Sequence, residues 1–265
     1  MNKQDKLKRI IFLLSAVIAL ESALLVFLWI RWPKGALPIA KKPPVAIKGK
    51  IAIVLDDWGY SLNDLAIAEK IKYPLTMAIL PNLNYSRKVA QVLRRRGFEI
   101  ILHLPLEPKE NMALEKDTIT TAMDGSTING IIIRDLIGVP YIRGVSNHMG
   151  SKVTEDPRTM EFVLKALKKK RLYFLDSYVT ADSVCSQVAK KMHVGFVKRD
   201  VFLDNEKDAE YIKRQIYKLK TVAGINGQAI GIGHDREVTL SVLKEVMPEL
   251  EKEGYKFVFV SELVR

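Results

Sequence analysis

A single cysteine among 265 residues, Cys185, excludes an internal disulfide. It lies in the helical pattern Asp182-Ser-Val-Cys-Ser-Gln-Val-Ala189, with no histidine or acid at nucleophile-like spacing, and reads as buried filler. Phosphate-binding glycine loops are missing as well. Gly231-Ile-Gly233 lacks the third glycine of a dinucleotide fingerprint and runs straight into His234. A phosphatase motif with two aspartates spaced two apart also fails, because Trp58 follows Asp56 and Gly59 follows Asp57 at that spacing. No internal repeat is present.

Acidic residues are the minority, and the formal charge is +12. That excess is unevenly placed. Residues 1–50 hold ten Lys or Arg against Asp5 and Glu21, which leaves only +4 for the remainder. The run Lys168-Lys-Lys-Arg171 reads as a solvated helix C-terminus. Nucleic acid is therefore not an expected partner, and anionic lipid head groups suit the basic N-terminal region better.

Ile10 to Ile30 is 21 residues with one charge, Glu21, long enough to cross a bilayer, with Trp29 and Trp32 at its far end. A cleaved signal peptide is the alternative, but no small-x-small site precedes Pro33. The expected organisation is a cytoplasmic tail over 1–9, a transmembrane anchor over 10–30, a Pro/Lys linker over 31–49 and a folded domain over 50–265. Basic residues flank both ends of the span, four before and six after, so charge counting is ambiguous and leans against export. Moving the short basic tail outward is unfavourable against the membrane potential, which places the folded domain on the extracytoplasmic side.

From Ile51 onward, short apolar runs alternate with amphipathic stretches. The runs predict strands over 51–55, 75–80, 98–103, 142–147, 172–176, 194–198, 228–233 and 256–260. Helical patterns occupy 85–96, 157–170, 181–192, 207–222 and 238–253. This alternation predicts a parallel sheet with crossover helices. Seven or eight units in about 215 residues suit an irregular (β/α) barrel, with a doubly wound sheet as the alternative. A polar insertion from Pro105 to Ser126 is long enough to border a site.

Asp56 and Asp57 end the apolar run Ile51-Ala-Ile-Val-Leu55 and lead into Trp58-Gly59. Paired acids at a strand tip suit a metal ligand beside a general base, and equally suit a helix N-cap with a solvated neighbour. Three of the four histidines, His103, His148 and His234, also follow predicted strands. In a parallel fold those strand ends share one face, so all five side chains are expected on one rim. His193, by contrast, follows Lys190-Lys191 and reads as a surface residue. In His103-Leu-Pro-Leu-Glu107 the proline opposes a helix, so a loop must bring Glu107 to the histidine. Imidazole with carboxylate suits Zn²⁺ and other borderline divalent ions. Asp176, Asp200 and Asp204 lie on the same presumed rim, where a carboxylate can orient a histidine through its second nitrogen. Loop capping serves Asp200 and Asp204 equally well.

These blocks resemble the divergent polysaccharide deacetylases, a distant branch of the NodB-homology carbohydrate esterases. The resemblance rests on Ile53-Val-Leu-Asp-Asp-Trp-Gly59, Ile101-Leu-His-Leu-Pro-Leu-Glu107, Asn147-His-Met-Gly-Ser151, Phe174-Leu-Asp-Ser177 and Gly231-Ile-Gly-His234. It implies an irregular barrel and metal-dependent removal of N-acetyl groups from an envelope polysaccharide or oligosaccharide. Asp56 would be the general base and His234 the general acid. Asp57, His103 and His148 would hold the divalent ion, Zn²⁺ first among them, with Glu107 where the family places a second histidine. Asp176, Asn147 and Ser151, inside matching blocks, would support the ion or the substrate. The family's Arg-x-Pro-x-Gly motif and the tryptophan near its later Asp motif have no counterpart here. A degenerate deacetylase-fold module that binds glycan or an envelope protein is the alternative implied by those departures.

Overall fold

The computed structural model describes residues 2–31 and 47–264, divided between two compact units, Met1–Pro44 and Val45–Arg265. In the first unit, helix α1 (Lys3–Arg31) has 29 residues, a mean hydropathy of 2.6 over its most apolar window, and no buried side chain. At 1.5 Å per residue it is about 44 Å long, and it is long and apolar enough to cross a membrane. It begins at Lys3, inside the segment expected as a tail. Most of the expected linker, 32–46, lies outside the described residues.

The second unit is an all-parallel sheet wrapped by helices. Its strands are β1 (Gly49–Trp58), β2 (Thr76–Ile79), β3 (Glu99–Leu106), β4 (Ile142–Met149), β5 (Tyr173–Asp176), β6 (Phe196–Lys198), β7 (Val201–Phe202), β8 (Gln228–His234) and β9 (Tyr255–Phe257). They run in the order β6-β5-β4-β3-β2-β1-β8-β7, with β9 paired to the start of β1. The two end strands are pieces of one segment. β6 pairs with β5 and β7 with β8, and the partner changes between Arg199, whose N–H donates to Asp176 O, and Asp200, whose N–H donates to Ile230 O. Counting that segment once gives seven positions around an irregular barrel. The expected strand over 256–260 shortens to β9, followed by a 3-10 turn at Val260–Glu262.

Alternation along each strand sorts side chains into two sets. Ala52 and Val54 of β1, Ala78 of β2, Ile101 of β3, Leu175 of β5 and Ile230 and Ile232 of β8 fill the interior. Ile51, Ile53, Leu55, Ile100 and Leu102 face outward into a larger core under the helices. Those helices are α2 (Leu65–Ala68), α3 (Ser86–Arg95), α4 (Gly125–Gly138), α5 (Pro157–Lys169), α6 (Cys185–Met192), α7 (Ala209–Asn226) and α8 (Glu237–Lys252). Several start on aspartate caps: Asp124, Asp156 and Asp208 each accept backbone N–H bonds from the first turn. Cys185 is fully buried, as filler should be.

Two departures from the sequence pattern matter for the rim. β3 continues past His103 to Leu106 despite Pro105. β2 ends opposite Leu102, so Pro105 falls where no β2 partner waits, and its carbonyl accepts from Ile119 N instead. The helix α4 was not among the expected helical patterns. Its exposed Ile133 and Ile137 blur the apolar stripe that marks an amphipathic helix.

Candidate metal centre at the strand tips

The interior sequence positions carry on upward into chemistry. Asp56 follows Ala52 and Val54, His103 follows Ile101, and His234 follows Ile230 and Ile232, each at a spacing of two. On β4 the same face is Gly144, Ser146 and His148. Any side chain at Gly144 would strike the Tyr173 ring, its Cβ lying 2.3 Å from the ring, so that level admits only glycine. Pairing places Asp56 level with His234, and His103 level with Ser146.

Asp57 breaks the alternation. Strict pleating would turn it outward with Leu55, but its φ is +66°, and the β1–β2 register slips between Leu55 and Trp58. Aspartate tolerates this left-handed conformation better than most residues. The bulge aims its carboxylate at the histidines: Asp57 Oδ1 lies 3.4 Å from His103 Nε2 and 3.2 Å from His148 Nδ1. Asp57 Oδ2 is 4.0 Å from His234 Nε2, and Asp56 Oδ2 is 3.6 Å from His103 Nε2. The His103 and His148 rings meet edge to face at 5.0 Å.

Asp57, His103 and His148 each present one ligand atom, all within 4.8 Å of one another. Asp57 Oδ1, His148 Nε2 and Asp56 Oδ1 are buried without a hydrogen-bond partner among the described residues. Unpartnered polar atoms at such a depth are costly unless something else satisfies them. One carboxylate with two imidazoles is a three-ligand set that fits a divalent cation with open positions. His103 Nδ1 meets Ser146 Oγ at 2.8 Å, which fixes its ring and leaves Nε2 for the cluster.

Electrostatics separate the two aspartates. Burial, then the adjacent Asp57 charge, pushes Asp56 well above the carboxylate range, while Arg199 acts in the opposite direction. Burial would also raise Asp57, but the adjacent His103 and His148 rings outweigh it and hold it far below that range. Burial lowers His103 to about 4, so its imidazole is neutral and able to ligate at neutral pH.

On the other flank, Asp204 is fully buried and accepts from His234 Nδ1 at 2.7 Å, His234 N at 2.9 Å and Thr239 Oγ1 at 2.7 Å. Burial would raise Asp204, but these bonds to His234 and Thr239 outweigh it and lower its pKa. The arrangement locks the His234 ring with Nε2 facing the cluster. Of the two roles open to Asp204 in the sequence, it takes the histidine-orienting one. Asp200 instead accepts from Ile230 N and helps join the barrel's ends.

The remaining expected residues lie in supporting positions. Glu107 Oε1 pairs with Lys152 at 2.7 Å, and Oε2 accepts from Thr121 N and Oγ1. It therefore pins the long insertion and stands outside the three-ligand cluster. Asn147 accepts from Ser177 N and donates to Met149 O, tying β4 to β5. Ser151 accepts from Lys109 N and donates to Glu110. Asp176 accepts from Tyr178 N and Ser183 Oγ.

Three residues near the cluster were not anticipated. Ser146 lies two before His148, and strand alternation alone would have found it. Arg199 reaches the site by its charge toward Asp56 while donating to the Ser177 and Tyr178 carbonyls. Asp235, beside His234, is pushed up to about 8 by burial and the charges of Asp57 and Asp64.

The family model for divergent polysaccharide deacetylases matches residues 53–264. An uncharacterised Escherichia coli K12 protein, YibQ, is 34% identical over 212 residues, covering 80% of this chain and 66% of YibQ. The chain thus spans just under two thirds of that relative's length. A crystal structure of the uncharacterised Agrobacterium tumefaciens C58 protein ATU2773 superposes with a TM-score of 0.78 at 27% identity, covering 83% of this chain and 90% of that one. A 33-residue stretch, 12% of this chain and 16% of the relative, is 54% identical to a Bacillus cereus peptidoglycan-N-acetylglucosamine deacetylase. With its parallel barrel and strand-tip cluster, this chain belongs to the divergent polysaccharide deacetylases.

Proposed function

We propose that this protein hydrolyses N-acetyl groups on an envelope polysaccharide or oligosaccharide, using a divalent cation held by Asp57, His103 and His148. Zn²⁺ suits the mixed imidazole and carboxylate donors best. One observation carries the reading: three ligand atoms converge, with buried unpartnered valences, between an acid of raised pKa and a carboxylate-oriented histidine. When bound, the cation supplies Lewis-acid polarisation of the amide carbonyl and of the attacking water.

The chain's own residues divide the proton work. Asp56 takes a proton from the attacking water as its oxygen adds to the acetyl carbon. The C–N bond then breaks, and His234 delivers a proton from Nε2 to the departing amine, leaving acetate and a free amino sugar. Asp204 holds the opposite nitrogen, keeping the ring aimed and stabilising its protonated form. The insertion between β3 and α4 borders this mouth, where the Tyr60 hydroxyl donates to Glu115. With α1 as the anchor, the folded domain works on the extracytoplasmic side of the membrane; protease accessibility in sealed vesicles tests that placement.

The decisive experiment is elemental analysis of the purified full chain together with acetate release from N-acetylated chitooligosaccharide or peptidoglycan fragments. Stoichiometric metal with turnover, both lost in His103→Ala, is the expected result. Metal and glycan binding without acetate release would make the chain a binding module instead. Absence of metal from the wild-type protein would remove the proposal.

A further inference from the structure

The end of the barrel opposite the metal-ligand cluster carries a different chemistry. In a parallel barrel, helix C-termini and strand N-termini share that end. Arg94 and Arg95 close α3, Lys168 and Lys169 close α5 with Lys170 and Arg171 just after, and Arg143 opens β4. Arg94, Arg143, Lys170 and Arg171 line one cavity of about 510 Å³. Glu99 also reaches its wall, but that carboxylate is buried and engaged by Thr76, Tyr173 and Ser261 N.

Cations at helix ends complement the helix dipole, which accounts for Arg94, Arg95, Lys168 and Lys169. It does not account for Arg143, which sits on a strand. Nor does it explain the lack of counter-ions: among the described residues Arg94, Arg95, Arg143, Lys169, Lys170 and Arg171 enter no ion pair, although all are exposed. Aliphatic side chains are bared at the same end, and Ile137 in the last turn of α4 is 67% exposed. Ile225, in the last turn of α7, is 79% exposed, and Ile47, just before β1, is 60% exposed. A bond from Lys50 N to Gly227 O ties these two segments together. The opposite rim carries the metal-ligand cluster of Asp57, His103 and His148.

We propose that this basic end docks on an anionic phospholipid surface and so holds the strand-tip mouth facing away from the bilayer. Guanidinium groups at the cavity match phosphodiester geometry, and bared isoleucines beside cations suit the head-group boundary. The path of the chain agrees. Gly49 enters β1 at this end, and fifteen residues separate Arg31 from Ile47. At full extension they reach no more than about 58 Å. A domain tethered by α1 is thereby kept near the bilayer, with its basic end nearest the tether in sequence. The inference takes α1 as the anchor and does not depend on the chemistry at the metal-ligand cluster.

The full chain reconstituted in lipid nanodiscs tests it. An environment-sensitive fluorophore is attached at Asn226→Cys, at the basic end, or at Lys116→Cys, in the insertion at the other end; Cys185 is buried and stays unlabelled. Emission at position 226 is expected to rise and shift to the blue in phosphatidylcholine–phosphatidylglycerol discs but not in phosphatidylcholine discs. Added salt should reverse the change, and position 116 should not respond. The combined Arg94→Gln, Arg143→Gln, Lys170→Gln and Arg171→Gln variant should weaken docking by on the order of 10²-fold or more. Identical spectra in the two lipids, insensitivity to salt, or an equal response at position 116 would overturn the inference. The lipid and salt arms use no charge-removing substitution, so they decide the matter even if the combined variant fails to fold.

Discussion

His234 and Asp204, thirty residues apart in sequence, share a 2.7 Å contact through His234 Nδ1. Asp204 has no exposed surface, so its charge is held in place by that ring, by Thr239 and by a backbone N–H. In Asp204→Asn the ring loses its ionic partner and its fixed tautomer. Acetate release should fall on the order of 10²-fold or more while metal content is unchanged, checked by turnover and elemental analysis on the same preparation.

The neighbouring aspartates should part company on substitution. Asp56→Asn keeps the ligand set, so metal stays stoichiometric while the rate drops on the order of 10²-fold or more. Asp57→Ala removes the only carboxylate of the cluster and should strip the metal itself. Undiminished hydrolysis by Asp56→Asn would remove that residue from the mechanism.

Glu107 provides the contrasting case. Because Lys152 and Thr121 occupy its oxygens, Glu107→Gln should retain metal and lose about 1 kcal/mol of stability, read by denaturant unfolding. Metal lost at unchanged fold would return Glu107 to the ligand set.

Arg199 should bear on the acid side of the pH profile. Its charge opposes the rise in Asp56's pKa, so Arg199→Gln lets that pKa climb further. A base must be ionised to act, and the acid limb of kcat/KM should therefore move to higher pH. A limb left in place would show that Arg199 only braces the Ser177 and Tyr178 carbonyls.

Away from the site, Asp135 makes stability depend on pH. It is fully buried on α4, accepts from Asn82 Nδ2 at 2.9 Å, and burial pushes it up to about 6. The folded state thus binds the proton more tightly than the unfolded chain, whose aspartates titrate near 4. Its contribution is present below about pH 4 and is lost as pH rises through about 6, a change on the order of 3 kcal/mol. Unfolding midpoints of Asp135→Asn should lack that fall between pH 4 and 6.

Much of this was legible before any coordinates. Apolar runs marked β1, β3, β4, β5 and β8, and the parallel rule then put Asp56, His103, His148 and His234 on one rim. The pattern failed where the local signal was weak. β7 is two residues long and takes its conformation from β8, so no run announces it. β3 crosses Pro105 because β2 stops short, and strand termination on a neighbour leaves no mark in the residues of β3 itself.

What the chain's order of residues determined by itself is the inventory and its face: alternation is local, and side chains two apart on a strand must point the same way. Folding in three dimensions decided which of them meet. The left-handed turn at Asp57, the pairing of Asp204 with His234 and the diversion of Glu107 to Lys152 all depend on neighbours distant in sequence. Such contacts form only once the ring of strands has set their separations, because no period along the chain encodes a distance across it.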